Sequence, residues 1–234
     1  MKFGSLISIL GAAAMLAACA SPSSRFYTLG GGEARPVPST PASFYFELAP
    51  VDMPQQVAKN QLVVQTSPAQ VRVLEEERWA SLPGDEVRRA LSADLTQQLG
   101  AIDVYGTPHP ESVPVYRVKV NVQRFESWPG SQAVIDAVWS VRAAGSDTVL
   151  TCRTVAQERV GTGYDALVDG HRKAVDALAS AISAGVRSLS SLPHASASTP
   201  AATTKGKSGA VTKPTAAQVL PCPSASAATT AATQ

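Results

Sequence analysis

The 234-residue sequence predicts an α+β fold, a two-layer sandwich in which two amphipathic helices cover one face of a largely antiparallel sheet. Three observations predict it. Tyr116, Val118, Val120 and Val122 alternate with Arg117, Lys119, Asn121 and Gln123, the period of a strand with one buried and one wet face. Val87, Leu91, Leu95 and Leu99 recur every four residues, which is a helical stripe. Leu167, His171, Val175, Leu178, Ile182, Val186 and Leu189 form a second, longer one.

The elements follow in order. Phe26-Tyr27-Thr28-Leu29 is a short extended piece, ended by the glycines at 30–32. Ser43 to Val51 is rich in aromatic and β-favouring residues and reads as a strand. Leu62-Val63-Val64-Gln65 and Val71-Arg72-Val73-Leu74 flank Ser67-Pro68-Ala69 as a hairpin. Glu75-Glu76-Glu77 then reads as a solvated turn. A helix is expected over Pro83–Leu99, with Asp85 and Glu86 at its positive end and Gly100 as its stop.

Past Gln123 the alternation slips, because Arg124 falls on the apolar phase and Phe125 on the polar one; a bulge or the strand's end accounts for this. Trp128-Pro129-Gly130-Ser131 makes a turn into a strand faced by Ile135, Ala137, Trp139 and Val141. Gly145-Ser146-Asp147 turns into Val149–Val155. Gly161-Thr162-Gly163 breaks the chain before the last helix, Asp165–Leu189. Trp79 and Trp139 are assigned to the core.

The N-terminus carries the clearest functional signal. Lys2 precedes an apolar run from Phe3 to about Ala18, which ends in Leu16-Ala17-Ala18-Cys19. The run is shorter than the roughly 20 residues a membrane span needs. Its small residues before a cysteine resemble the lipobox of bacterial lipoproteins. The resemblance implies cleavage between Ala18 and Cys19, diacylation of the Cys19 thiol and acylation of the new amino terminus, so that the protein meets the lipid bilayer through acylated Cys19. An ordinary signal peptide followed by a coincidental cysteine is the alternative. Ala20 and Ser21 follow the cysteine; the lack of Asp there points, by the same resemblance, to the outer membrane.

Composition supplies the other boundaries. Residues 1–18 read as signal peptide, 19–42 as lipid anchor and flexible tether with a short extended segment, 43–192 as the α+β domain and 193–234 as an Ala/Thr/Pro-rich tail. The tail contains Lys205, Lys207 and Lys213 with no acidic residue, and it lacks the apolar surface that offsets ordering entropy, so it is expected to be disordered. Formal charge is +2, falling to +1 once Lys2 is removed, and no basic stripe suggests nucleic acid. Three cysteines are too few for a disulfide scaffold. With Cys19 lipidated, Cys152 and Cys222 are expected to stay separate thiols, although an exported compartment would permit a bond.

Taken together, several of these pieces are similar to one family. They are the lipobox, Phe26-Tyr27-Thr28-Leu29, Leu62-Val63-Val64-Gln65-Thr66-Ser67, Arg78-Trp79-Ala80, Tyr116 to Val122 running on to Phe125, the Trp139 strand, and Gly163-Tyr164-Asp165. Their order resembles the PqiC-type lipoproteins, auxiliary lipoprotein components of ABC-type transport systems. That resemblance implies a periplasm-facing, lipid-anchored outer-membrane protein. It would dock or support an MCE-domain inner-membrane protein that carries lipids or other apolar molecules, either alone or as a homo-oligomer.

Signatures of chemistry are missing from the sequence. His109 lies between prolines, His194 lies in the tail, and His171 lies on an apolar stripe where a core role is expected. No paired-histidine or paired-cysteine metal pattern, nucleophile elbow or phosphate loop occurs. Asp85 and Glu86 read as complements to the helix dipole. No catalytic residue, metal site or cofactor is assigned, and the chain is not expected to be an enzyme. Trp128 is the partner-contact candidate: beside Pro129 it either projects as an anchor or folds back over the sheet edge. The rival readings are a structural lipoprotein that grips the cell wall through its cationic tail and, third, an exported enzyme.

Overall fold

The computed structural model describes residues 23–30, 42–192 and 221–223. Ala18, Cys19 and most of the Ala/Thr/Pro-rich tail lie outside them. The fold is α+β, with elements β1 (Arg25–Tyr27), β2 (Tyr45–Leu48), β3 (Gln61–Ser67), β4 (Gln70–Trp79), α1 (Pro83–Leu99), β5 (Val115–Trp128), β6 (Gln132–Ala143), β7 (Val149–Arg159) and α2 (Tyr164–Ser190).

The strands divide between two sheets, ordered β1-β4-β3 and β2-β5-β6-β7. Hairpins join β3 to β4 and β5 to β6 to β7, so these pairs are antiparallel. β1 and β2 add in parallel to β4 and β5. The register of β5 on β6 shifts between Val122 and Arg124. This bulge is where the apolar alternation slips, and it lets β5 continue to Trp128 with Phe125 still facing inward.

Both helices pack against each other, and α2 lies across β6 and β7. The stripe residues Leu167, Val175, Leu178, Ile182 and Val186 are fully buried, opposite Tyr116, Val118, Val120, Trp139 and Val141 on the sheet. Gly185 permits this approach: a Cβ there would stand 2.8 Å from Cη2 of Trp139 and 3.0 Å from Cδ2 of Leu150. At the end of α1, Gly100 takes φ 65°, a left-handed cap whose N–H reaches the Thr96 carbonyl. Trp79 and Trp139 are both core residues.

Two expectations are corrected. Cys152 and Cys222 form a disulfide with a Cα–Cα distance of 5.7 Å. Cys152 shares the helix-facing side of β7 with buried Leu150 and Ala156, and residues 221–223 are placed beside it. The tail's composition carries no trace of this, because a covalent bond needs no apolar surface. Glu75-Glu76-Glu77 is also no turn. It is part of β4, and Glu77 is buried because Arg25 and Tyr27, about 50 residues earlier, supply its partners.

Candidate functional site

Because side chains alternate along a strand, the helices cover one face of the four-stranded sheet and leave the other as a broad outer surface. The register places Arg117, Lys119, Arg124, Glu126 and Trp128 of β5 on it, beside Asp136, Val138 and Arg142 of β6 and Arg153 and Val155 of β7. This surface is charge-paired. Arg153 donates to both oxygens of Asp136, at 2.8 Å from Nε and 2.6 Å from Nη2. Asp136 itself is fully buried, and the Arg153 hydrogen bonds hold its carboxyl below the usual carboxylate range despite the opposing effect of burial. Arg124 forks onto Glu126 at 2.8 and 3.0 Å, which likewise lowers the Glu126 carboxyl.

Trp128 completes that row. Its indole Nε1 donates to Glu126 Oε2 at 3.0 Å, and the residue is half-buried. The ring is therefore fixed to its own strand while part of it faces solvent. The exposed valines Val138 and Val155, at 36% and 51% exposure, lie six and four positions further along β6 and β7, among the Arg124–Glu126 and Arg153–Asp136 pairs.

At the other end of the sheet an open groove of about 430 Å³ runs between Glu47, Tyr105, Arg117, Lys119, Arg142 and Val149. Arg117 donates to Glu47 at 2.8 Å but stands directly across from Arg142. Like charges in facing positions repel, so this end of the face carries positive character. Trp128 and the groove do not converge, since 11 positions of β5 separate Arg117 from Trp128, roughly 35 Å at strand rise.

The remaining candidates are structural. His171 is buried, stacked on Phe125 with ring centroids 4.1 Å apart, and its Nε2 lies 2.8 Å from Ser127 Oγ. Burial lowers its pKa to about 3, so it stays neutral. Its Nδ1 has no partner among the described residues. Glu86 does more than complement a dipole. It is buried at the start of α1 and accepts from Thr28 Oγ1 at 2.7 Å, Leu29 N at 2.9 Å, Ser81 Oγ at 2.6 Å and Ser81 N at 3.1 Å. Burial alone would raise its pKa; these bonds and Arg89 outweigh it and lower it. Glu86 thus joins the segment after β1 to the helix. Sequence spacing missed this role because Thr28 and Leu29 are 57 or more residues away. Among the described residues no group of three or more His, Cys, Asp or Glu side chains is placed to hold a metal ion.

The family described as ABC-type transport auxiliary lipoprotein component matches residues 27–183, well over half of the chain. The chain belongs to this family. As an auxiliary lipoprotein it is a membrane-anchored envelope protein associated with an ABC-type transporter, and the family is not one of enzymes. Two crystal structures share the fold. A protein of uncharacterised function has a TM-score of 0.57 and 20% identity, covering 70% of this chain and 99% of its own. One from Xanthomonas campestris has a TM-score of 0.54 and 16% identity, with the same coverage. No curated protein matches the sequence.

Proposed function

We propose that this auxiliary lipoprotein is anchored in the outer membrane through acylated Cys19 and docks an MCE-domain inner-membrane protein of an ABC-type system from the periplasmic side. In this reading residues 1–18 are removed, 19–42 carry the anchor and tether with β1 as their short extended segment, 43–192 form the docking domain and 193–234 the tail. The observation that carries it is the outer face of the four-stranded sheet. A half-buried Trp128 at one end and the exposed Val138 and Val155 further along, with bonded Arg–Glu and Arg–Asp pairs among them, put apolar and polar contacts side by side on one accessible face, the mixed character of a non-obligate protein interface. The disulfide is in keeping with a compartment outside the cytosol. Among the described residues no helix is long and apolar enough to cross a membrane, so attachment by lipid chains is a physically sufficient alternative.

The test is capture of the MCE-domain protein from cross-linked membranes by the tagged lipoprotein. Trp128→Ala and Val155→Asp should each reduce capture by about tenfold or more while circular dichroism stays unchanged. Full capture by both variants would remove the outer face from the docking role.

A further inference from the structure

We propose that the corner carrying β1 is seated against the bilayer, with Phe26 in the lipid interface as a contact separate from the acyl chains. This rests on the reading of Cys19 as the lipidated residue. Phe26 is 66% exposed, the most exposed large hydrophobic side chain among the described residues. It lies seven residues after Cys19, so its Cα stands no more than about 25 Å from the lipidated one even with the chain fully extended.

Ser24 Oγ donates to Glu76 at 3.0 Å, Arg25 Nε donates to Glu77 at 3.0 Å, and Arg25–Tyr27 pairs in register with Glu77–Trp79. The ring of Phe26 therefore projects from a fixed strand and not from a loose end. Its strand neighbour Tyr27 points the opposite way, buried, with its hydroxyl on Glu77 at 2.6 Å. The alternation that buries Tyr27 is what turns Phe26 outward.

The cations around it are already paired, while Glu76 beside it has only the Ser24 hydroxyl among the described residues. Arg25 is bonded to Glu77, and Arg78, directly across from Phe26, lies 3.8 Å from Glu75. A rim without surplus cations around one aromatic ring fits the lipid interface in general and does not select anionic headgroups.

The test uses the full, acylated protein in vesicles, with Phe26→Cys or, as the control, Val155→Cys carrying an NBD fluorophore. Flotation is measured on the same samples. The residue-26 label should shift to the blue and be quenched by doxyl-labelled lipid, to the same extent with and without anionic lipid, while the residue-155 label does neither. Flotation with an aqueous residue-26 label overturns the seating and leaves the anchor standing. Failure to float overturns both. A blue shift that persists in Cys19→Ser protein without vesicles overturns it too, since the ring is then covered by protein.

Discussion

Between pH 7 and pH 5 the stability of the domain should be governed by His171. Its imidazole is wholly buried between Phe125, Trp79 and Ser127, and its pKa falls from the ordinary 6.5 to about 3. Below pH 6.5 the unfolded chain takes up a proton at this site that the folded chain refuses. Unfolding is thus favoured as pH falls, and the effect grows until the pH nears 3. From pH 7 to pH 5 the difference amounts to about 2 kcal/mol. The buried carboxylates of Glu86 and Asp136 also have lowered pKa values, so their contribution is lost as pH falls, but only below the ordinary carboxylate values of 4.5 and 3.8. The interval from 5 to 6.5 is left to the histidine.

The assay is urea denaturation followed by tryptophan fluorescence, for which Trp79, with its ring centroid 6.2 Å from that of His171, is well placed. With a slope of about 2 kcal/mol/M, the midpoint should fall by about 1 M between pH 7 and pH 5. His171→Gln keeps a group able to bond Ser127 and cannot titrate, so its midpoint, lower at the outset, should change little over the same interval. A wild-type midpoint that does not move, or a variant that retains the full drop, would refute the reasoning.

The other predictions concern packing and the cross-link. Gly185→Ala should lower the melting temperature by about 2–6 °C, because overpacking against the rigid Trp139 ring outweighs the roughly 1 kcal/mol that alanine contributes in a helix; a rise in melting temperature would contradict the close approach. Cys222→Ser should destabilise by at most about 4 kcal/mol, the loop-entropy limit for two cysteines 70 residues apart. In Cys19→Ser protein, thiol titration under denaturing but non-reducing conditions should find no free cysteine, and two reactive thiols would remove the bond.

What the sequence makes legible is local. The β3–β4 hairpin, the bounds of α1 and the slip of alternation after Val122 each follow from spacing and end signals within one element or its nearest neighbour. What escapes it depends on partners brought from afar. Three consecutive glutamates look solvated until Arg25 and Tyr27 arrive beside Glu77. The division into two sheets depends on β1 and β2 pairing in parallel with strands remote from them, and no spacing records that. Cys222 is hidden for a different reason, since its neighbours have the composition of an unstructured tail. Trp128 was visible as a candidate, but its Glu126–Arg124 support required knowing that the bulge keeps residues 124, 126 and 128 on one face.

The two proposed contacts use different sheets. Phe26 belongs to β1 in the three-stranded sheet, whereas Trp128 and Val155 belong to the four-stranded one. Acyl chains alone fix where the body is but not which way it is turned. A second, aromatic contact at the start of the fold would restrict that turning, and a partner approaching from across the envelope would then meet the outer face already oriented. Less rotational freedom remains to be lost on docking, so a weak interface becomes sufficient. It follows that Phe26→Ser should weaken partner capture on membranes without changing capture in detergent, whereas Trp128→Ala should weaken both. Equal losses for Phe26→Ser in the two settings would mean that the ring touches the partner directly.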